Sequence, residues 1–162
     1  MERMWAPWRV KYIRKTGGDC FLCEALEKKD PAQCLIIEKG ALAFSIMNRF
    51  PYNNGHILVA PLRHVASLEL LNDGEVLEIN RLLSRLIKSI NHTMKPHGYN
   101  IGINQGQTAG AGLVTHVHFH CVPRWQGDTN FMPVLGDTKV ISEGLASTYK
   151  TIKEGLVKLN QL

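Results

Sequence analysis

Three histidines alternate with apolar residues in the run His116-Val117-His118-Phe119-His120-Cys121-Val122-Pro123-Arg124. In a β-strand, side chains two positions apart share a face at a spacing of about 6.6–6.8 Å. The pattern predicts a strand over 116–122, with His116, His118 and His120 laddered on one face and Val117, Phe119 and Cys121 turned into a core. A single histidine on a half-buried strand is commonplace; three of seven at this spacing is hard to obtain by accident. Neutral imidazole is a nucleophile, a general base and a metal ligand, and imidazolium is a general acid and an anion clamp. Three in a row can bind a metal or divide the work on one substrate.

The neighbouring residues favour phosphate chemistry. Gly106-Gln107-Thr108-Ala109-Gly110-Ala111-Gly112 lies just upstream. Such a loop exposes backbone N–H groups to an anion, and Gly110 and Gly112 are expected to cradle a phosphate beside the ladder, although the same composition also makes ordinary turns. Arg124 can pair with phosphate oxygens or close a solvated strand end. A second segment, Asn48-Arg49-Phe50-Pro51-Tyr52-Asn53-Asn54-Gly55-His56-Ile57-Leu58-Val59, reads as a turn running into a strand. It places His56 at the strand start and Asn48 where it can hydrogen-bond a ribose.

Taken together, the His116–Val122 run, Asn48, Gly55-His56-Ile57-Leu58-Val59 and the glycine-rich approach resemble the signature of the histidine triad (HIT) superfamily of nucleotide hydrolases and transferases. Trp5-Ala6-Pro7-Trp8-Arg9, Pro123-Arg124-Trp125 and the Gly127–Pro133 stretch are similar to its dinucleoside polyphosphate branch, which includes diadenosine tetraphosphate phosphorylases and hydrolases. The resemblance implies an α+β fold, a five-stranded antiparallel sheet with a long helix packed on it and a C-terminal helix, and a two-fold homodimer with a continuous sheet. It implies a nucleotidyl-histidine intermediate formed at the α-phosphate. His118 is expected to attack, with a backbone carbonyl on its Nδ1–H. His120 donates to a non-bridging or leaving oxygen, His56 steadies the ladder, and His116 does the same or is committed to a metal. Adenosine is expected in a cleft lined partly by Phe44 and Leu58, with Asn104 and Gln105 assisting the glycine loop as preorganised donors. Many relatives carry Gln four residues before the first triad histidine, where this chain has Gly112. That departure leaves water or inorganic phosphate as acceptor and leans toward phosphorolysis. Two other readings use the same residues: hydrolysis of nucleoside phosphoramidates, and a nucleotide-binding sensor with little catalysis. No organic cofactor is expected, and a magnesium-complexed substrate is compatible with the scheme.

Cysteines 20, 23, 34 and 121 lack the context of a disulfide framework. Cys34 and Cys121 read as packing residues. Cys20-Phe21-Leu22-Cys23 has metal-ligand spacing, and a closed tetrahedral zinc site needs two further ligands, for which His64 and His116 are the candidates. Some relatives carry a similar knuckle completed by two such histidines. The other readings are a reduced thiol pair or a redox pair.

At 162 residues the chain is expected to be one domain, 1–162, with an N-terminal arm to residue 34 and a tail and helix from 135. The absence of an 18-residue apolar run or a secretion-type start points to a cytoplasmic protein with no membrane partner. A net charge of +5 suits polyphosphate substrates, and with no basic block no nucleic-acid partner is expected. The pattern predicts a short helix at 24–29, a hairpin of strands 35–38 and 42–46, strands at 56–60 and 100–104, and a long helix capped by Asn72 with Glu75. A last helix opens at Ser142.

Overall fold

The computed structural model describes residues 20–130 and 140–161. The Trp5–Arg9 and Phe131–Pro133 motifs lie outside the described residues. The elements run α1 (Phe21–Glu27), β1 (Ile36–Lys39), β2 (Ala43–Met47), β3 (Ile57–Pro61), a 3-10 turn (Leu68–Leu70), α2 (Asp73–Thr93), β4 (Gly98–Ile103), β5 (Phe119–Arg124) and α3 (Leu145–Leu159). The strands form one antiparallel sheet in the order β1-β2-β3-β5-β4, so the expected α+β architecture holds.

Both faces of the central strands are covered, which is why β3 reads Ile-Leu-Val-Ala-Pro with no polar position. Alternate residues supply the two layers. Ala43, Met47, Ile57, Val59 and Cys121 pack under α2 and α3 against Ile79, Leu86, Ile90, Ile152 and Leu156. Phe44, Ile46, Leu58 and Ala60 face the other way, against Leu22 and Ala25 of α1 and Cys34. The α2 start is a capping box: the Asn72 side chain accepts the Glu75 N–H and the Glu75 carboxylate accepts the Asn72 N–H. Buried Glu75 also takes two hydrogen bonds from Arg63, at 3.0 and 2.8 Å. This ties the chain just beyond β3, next to His64, to the start of α2. At the β1 edge, Tyr149 and Lys153 of α3 donate to the Ile36 and Ile37 carbonyls. These contacts block further strand pairing there.

Two expectations shift. The first helix begins at Phe21, with Cys20 as its N-cap, because Leu22 and Ala25 have a sheet face to cover. The last strand begins at Phe119 instead of His116. The Leu62 N–H donates to Leu42 O on the β2 side, so the neighbouring position 61 would have to donate toward β5. It is proline and has no N–H. The β3–β5 ladder therefore stops at Val59↔Phe119, and Val117 instead donates to Val65 O at 2.7 Å.

The β1–β2 turn is held from α2. The Glu78 carboxylate accepts the N–H groups of Ala41, Leu42 and Ala43, and a side chain at Gly40 would collide with it. Glu78→Ala removes these hydrogen bonds, two of them at solvent-exposed N–H groups, and is expected to lower stability by roughly 1 kcal/mol, read as a fall in the urea midpoint with an unchanged m-value.

Candidate active site

Proton positions in the site follow from backbone groups. The Tyr52 main-chain N–H donates to His56 Nδ1 at 3.0 Å, and the Asn48 amide approaches the same nitrogen at 3.2 Å. With Nδ1 an acceptor, the neutral ring carries its proton on Nε2. That Nε2–H donates to His120 Nδ1 at 2.9 Å, so His120 carries its own proton on Nε2. His118 is set the opposite way. Its Nδ1 lies 2.8 Å from the His116 carbonyl oxygen; an oxygen can only accept, so Nδ1 is protonated and Nε2 keeps a lone pair. The His118 and His120 rings are 5.1 Å apart. One neighbour offers a nucleophilic nitrogen and the other an N–H donor.

Burial favours the neutral form of His56 and His118. His56 is fully buried and His118 is 5% exposed. Desolvation first, then the neighbouring His120 and His118, brings the His56 pKa down to about 3. Desolvation also lowers His118, partly offset by its bond to the His116 carbonyl. The Tyr52 ring lies nearly parallel to His120, with centroids 5.6 Å apart, and covers its flank.

The third imidazole leaves the ladder. His116 precedes the strand, its ring is fully buried, and it lies edge-on to His64 with centroids 5.0 Å apart. The expectation of three rings stacked on one strand face is therefore corrected: His118 has His120 beside it as a ring neighbour, and from His116 it receives a carbonyl. His116 Nε2–H donates to Pro61 O at 3.0 Å, which leaves Nδ1 as a lone pair 3.3 Å from Cys20 Sγ and 3.6 Å from Cys23 Sγ. His64 Nδ1 is 3.2 Å from Cys23 Sγ. The four donor atoms lie within 4.8 Å of one another. Ligands of a tetrahedral ion bound by sulfur and nitrogen sit roughly 3.3–3.8 Å apart, so this cluster can hold a metal. The Pro61 carbonyl supplies the outer hydrogen bond that a ligating imidazole requires. Without a metal, burial and the adjacent Cys20 thiol push Cys23 up to about 11.

Other expected site residues are placed as follows. Phe44 and Leu58 are on the His120 face, with Leu58 directly across from His120, yet they are 0% and 2% exposed. They do not line an open cleft, because α1 is packed over them. Asn48 is held by the Phe50 N–H on its oxygen and by His56 on its amide. Asn104 is half-buried just past β4. Gln105 is turned toward the 3-10 turn, bonding Leu68 N–H and Glu69. In the glycine loop, Gly110 N–H donates to Gln107 O and Ala111 N–H to Gly106 O, so these two close a turn and are not offered to an anion. Gly112 follows, half-buried. Arg124 forms a two-point ion pair with Asp128, at 2.7 and 2.9 Å, and donates to Asn100. Its charge is thus compensated rather than aimed at phosphate, and the Asp128 carboxyl is held well below its ordinary range.

A HIT domain family model matches residues 27–127. The chain belongs to the HIT family. It is 35% identical to a Mycobacterium tuberculosis protein named AP-4-A phosphorylase, over 94% of this chain and 83% of that one. It is 27% identical to an adenosine 5'-monophosphoramidase of Candida albicans, over 88% of this chain and 95% of that one. A zinc-bound histidine triad protein of Mycobacterium smegmatis has the same fold, with a TM-score of 0.70 and 23% identity over 88% of this chain and 96% of that one. Sequence reasoning missed Tyr52, Asn53 and Asp128. Asn53 donates to Pro123 O and to Asp128 and thereby holds the turn that aims the Tyr52 N–H. The Pro51-Tyr52-Asn53-Asn54-Gly55 turn showed only as turn chemistry; nothing in its spacing marked a role for individual members.

These buried neutral histidines set a pH dependence. The ordinary histidine pKa is 6.5 and that of folded His56 is about 3. As pH falls through the ordinary value the unfolded chain takes up the proton first, so stability declines with falling pH. Urea midpoints are expected to drop between about pH 7.5 and pH 5, with a shallower slope in His56→Gln.

Proposed function

We propose that the protein cleaves dinucleoside polyphosphates at the α-phosphate by nucleotidyl transfer through His118, with inorganic phosphate or water as acceptor. The opposed tautomers of His118 and His120 carry this reading. The His118 Nε2 lone pair forms the bond to phosphorus while the bond from phosphorus to the leaving oxygen breaks. That oxygen takes the proton of His120 Nε2–H. In the second half the acceptor's oxygen attacks phosphorus, its proton returns to His120, and the bond to His118 breaks. His56 holds His120 in register by donating to Nδ1. The mycobacterial phosphorylase supports a polyphosphate substrate and a phosphate acceptor. The Candida phosphoramidase supports a second reading, in which the same two rings expel an amine.

Zinc is the metal best suited to Cys20, Cys23, His64 and His116, since two thiolates and two imidazoles fill a tetrahedral site and leave no position for substrate. When bound it supplies structural cross-linking alone. A homodimer joined through β4 is part of the proposal: β4 lies at the sheet edge and carries Ile101 47% exposed, whereas the β1 edge is blocked.

Diadenosine tetraphosphate, offered with and without inorganic phosphate, is expected to yield ATP plus ADP only with phosphate; AMP plus ATP in its absence would assign hydrolysis. His118→Asn is expected to lose turnover by roughly ten-thousandfold or more while still binding AMP, and a mild effect would remove the nucleophile assignment. The purified chain is expected to carry one zinc per chain by elemental analysis, with Cys23→Ser losing most of it. Light scattering is expected to give twice the chain mass, reduced to a monomer by Ile101→Asp.

A further inference from the structure

Next to His120 the sheet forms a trough. His120, Val122 and Arg124 share one face of β5, and their partners across the β4–β5 ladder are Gly102, Asn100 and Gly98. Two of these three lack a side chain, and among the described residues nothing lies within 4 Å of a Cβ built at either glycine. Above the trough stand Tyr52 and Asn53. The resulting cleft of about 250 Å³ is lined by Tyr52, Asn53, Asn100, Val122 and Arg124. It adjoins the reacting rings, because the Tyr52 ring that walls it also stacks on His120. Gly102, directly opposite His120, puts no side chain between them.

The chemistry of the cleft is that of a flat, neutral, hydrogen-bonding ring. Its one cation among the described residues, Arg124, is paired with a largely buried Asp128, so an anion gains little there. What remains is the half-open phenol face of Tyr52, 42% exposed, the apolar floor of Val122, the amide of exposed Asn100 and the exposed edge of the Arg124 guanidinium, whose bonds to Asp128 and Asn100 involve three of its five N–H groups. Its volume lies below the roughly 300–1,000 Å³ of pockets that enclose whole small molecules, and suits a single ring system. Aromatic faces and guanidinium planes both stack on nucleobases.

We propose that this cleft is the subsite for the second nucleobase, the one beyond the bond that His118 breaks, with Tyr52 as its stacking wall and Asn100 as its hydrogen-bonding edge. This rests on the polyphosphate reading above and extends it: the protein distinguishes a dinucleoside polyphosphate from a mononucleoside polyphosphate of equal phosphate number.

The test compares diadenosine tetraphosphate with adenosine 5'-tetraphosphate, which has the same phosphate chain and no second nucleoside. The wild-type protein is expected to favour the dinucleoside by about tenfold in kcat/KM, the order of one stacked base. Asn100→Phe fills the cleft from an exposed strand position that tolerates an aromatic residue, and is expected to bring the ratio of the two substrates close to one. A wild-type ratio near one, or a ratio unchanged in Asn100→Phe with the protein folded by thermal melting, would overturn the subsite. The same pair of ligands is titrated by calorimetry into His118→Asn, with and without Asn100→Phe. There the difference in affinity reports on the cleft without turnover. If the wild-type protein cleaves neither compound while the affinity difference is present and erased by Asn100→Phe, the catalytic reading fails and the subsite stands. Equal affinities for the two ligands remove the subsite.

Discussion

The main-chain N–H of Tyr52 decides where the protons of His56 and His120 reside. It donates to His56 Nδ1, which forces the His56 proton onto Nε2, which in turn makes His120 Nδ1 an acceptor and leaves an N–H at His120 Nε2. A backbone N–H cannot switch to accepting, so the chain of tautomers has one direction. Much of the surrounding structure holds that N–H in place. Asn53 ties the turn to Pro123 and Asp128, Arg124 backs Asp128, and Asn54 reaches Glu143 and Thr148 near and within α3. Residues that resemble ligand contacts in sequence, Asn48 and Arg124 among them, are here bonded into this support.

His116 links this site to the Cys/His cluster that can hold a metal. Its ring presents Nδ1 to Cys20 and Cys23 and is anchored behind by Pro61. Its carbonyl accepts from His118 Nδ1 and so leaves the lone pair on His118 Nε2. One residue thus serves two sites with two different groups. The proline that anchors it is also the residue whose missing N–H ends the β3–β5 ladder, freeing the chain before Phe119 to carry the His116 imidazole to Cys20 and Cys23.

Much of the architecture was legible because burial imposes period. The α2 capping box, the β1–β2 hairpin and the all-apolar β3 follow from residue type and alternation, and the observed elements agree to within a few residues. The ladder of three histidines was legible as a cluster but not as an arrangement. Alternation assumes that a strand continues, and Pro61, distant in sequence, stops this one. The glycine loop was read as an open cradle, yet two of its N–H groups close a turn within it. Phe44 and Leu58 were assigned to the correct face, but their enclosure depends on α1, which covers them from another part of the chain.

Sequence by itself determined which chemical groups the protein brings: two cysteines and a set of histidines spaced for metal binding and phosphoryl chemistry, on strands whose apolar alternation demanded a covered sheet. Tertiary structure alone decided the role of each imidazole. A ring nitrogen is a nucleophile, a donor or a ligand according to what its other nitrogen bonds, and those partners are the Tyr52 N–H, the Pro61 carbonyl and the His116 carbonyl: backbone atoms that every sequence possesses and that only the fold can aim.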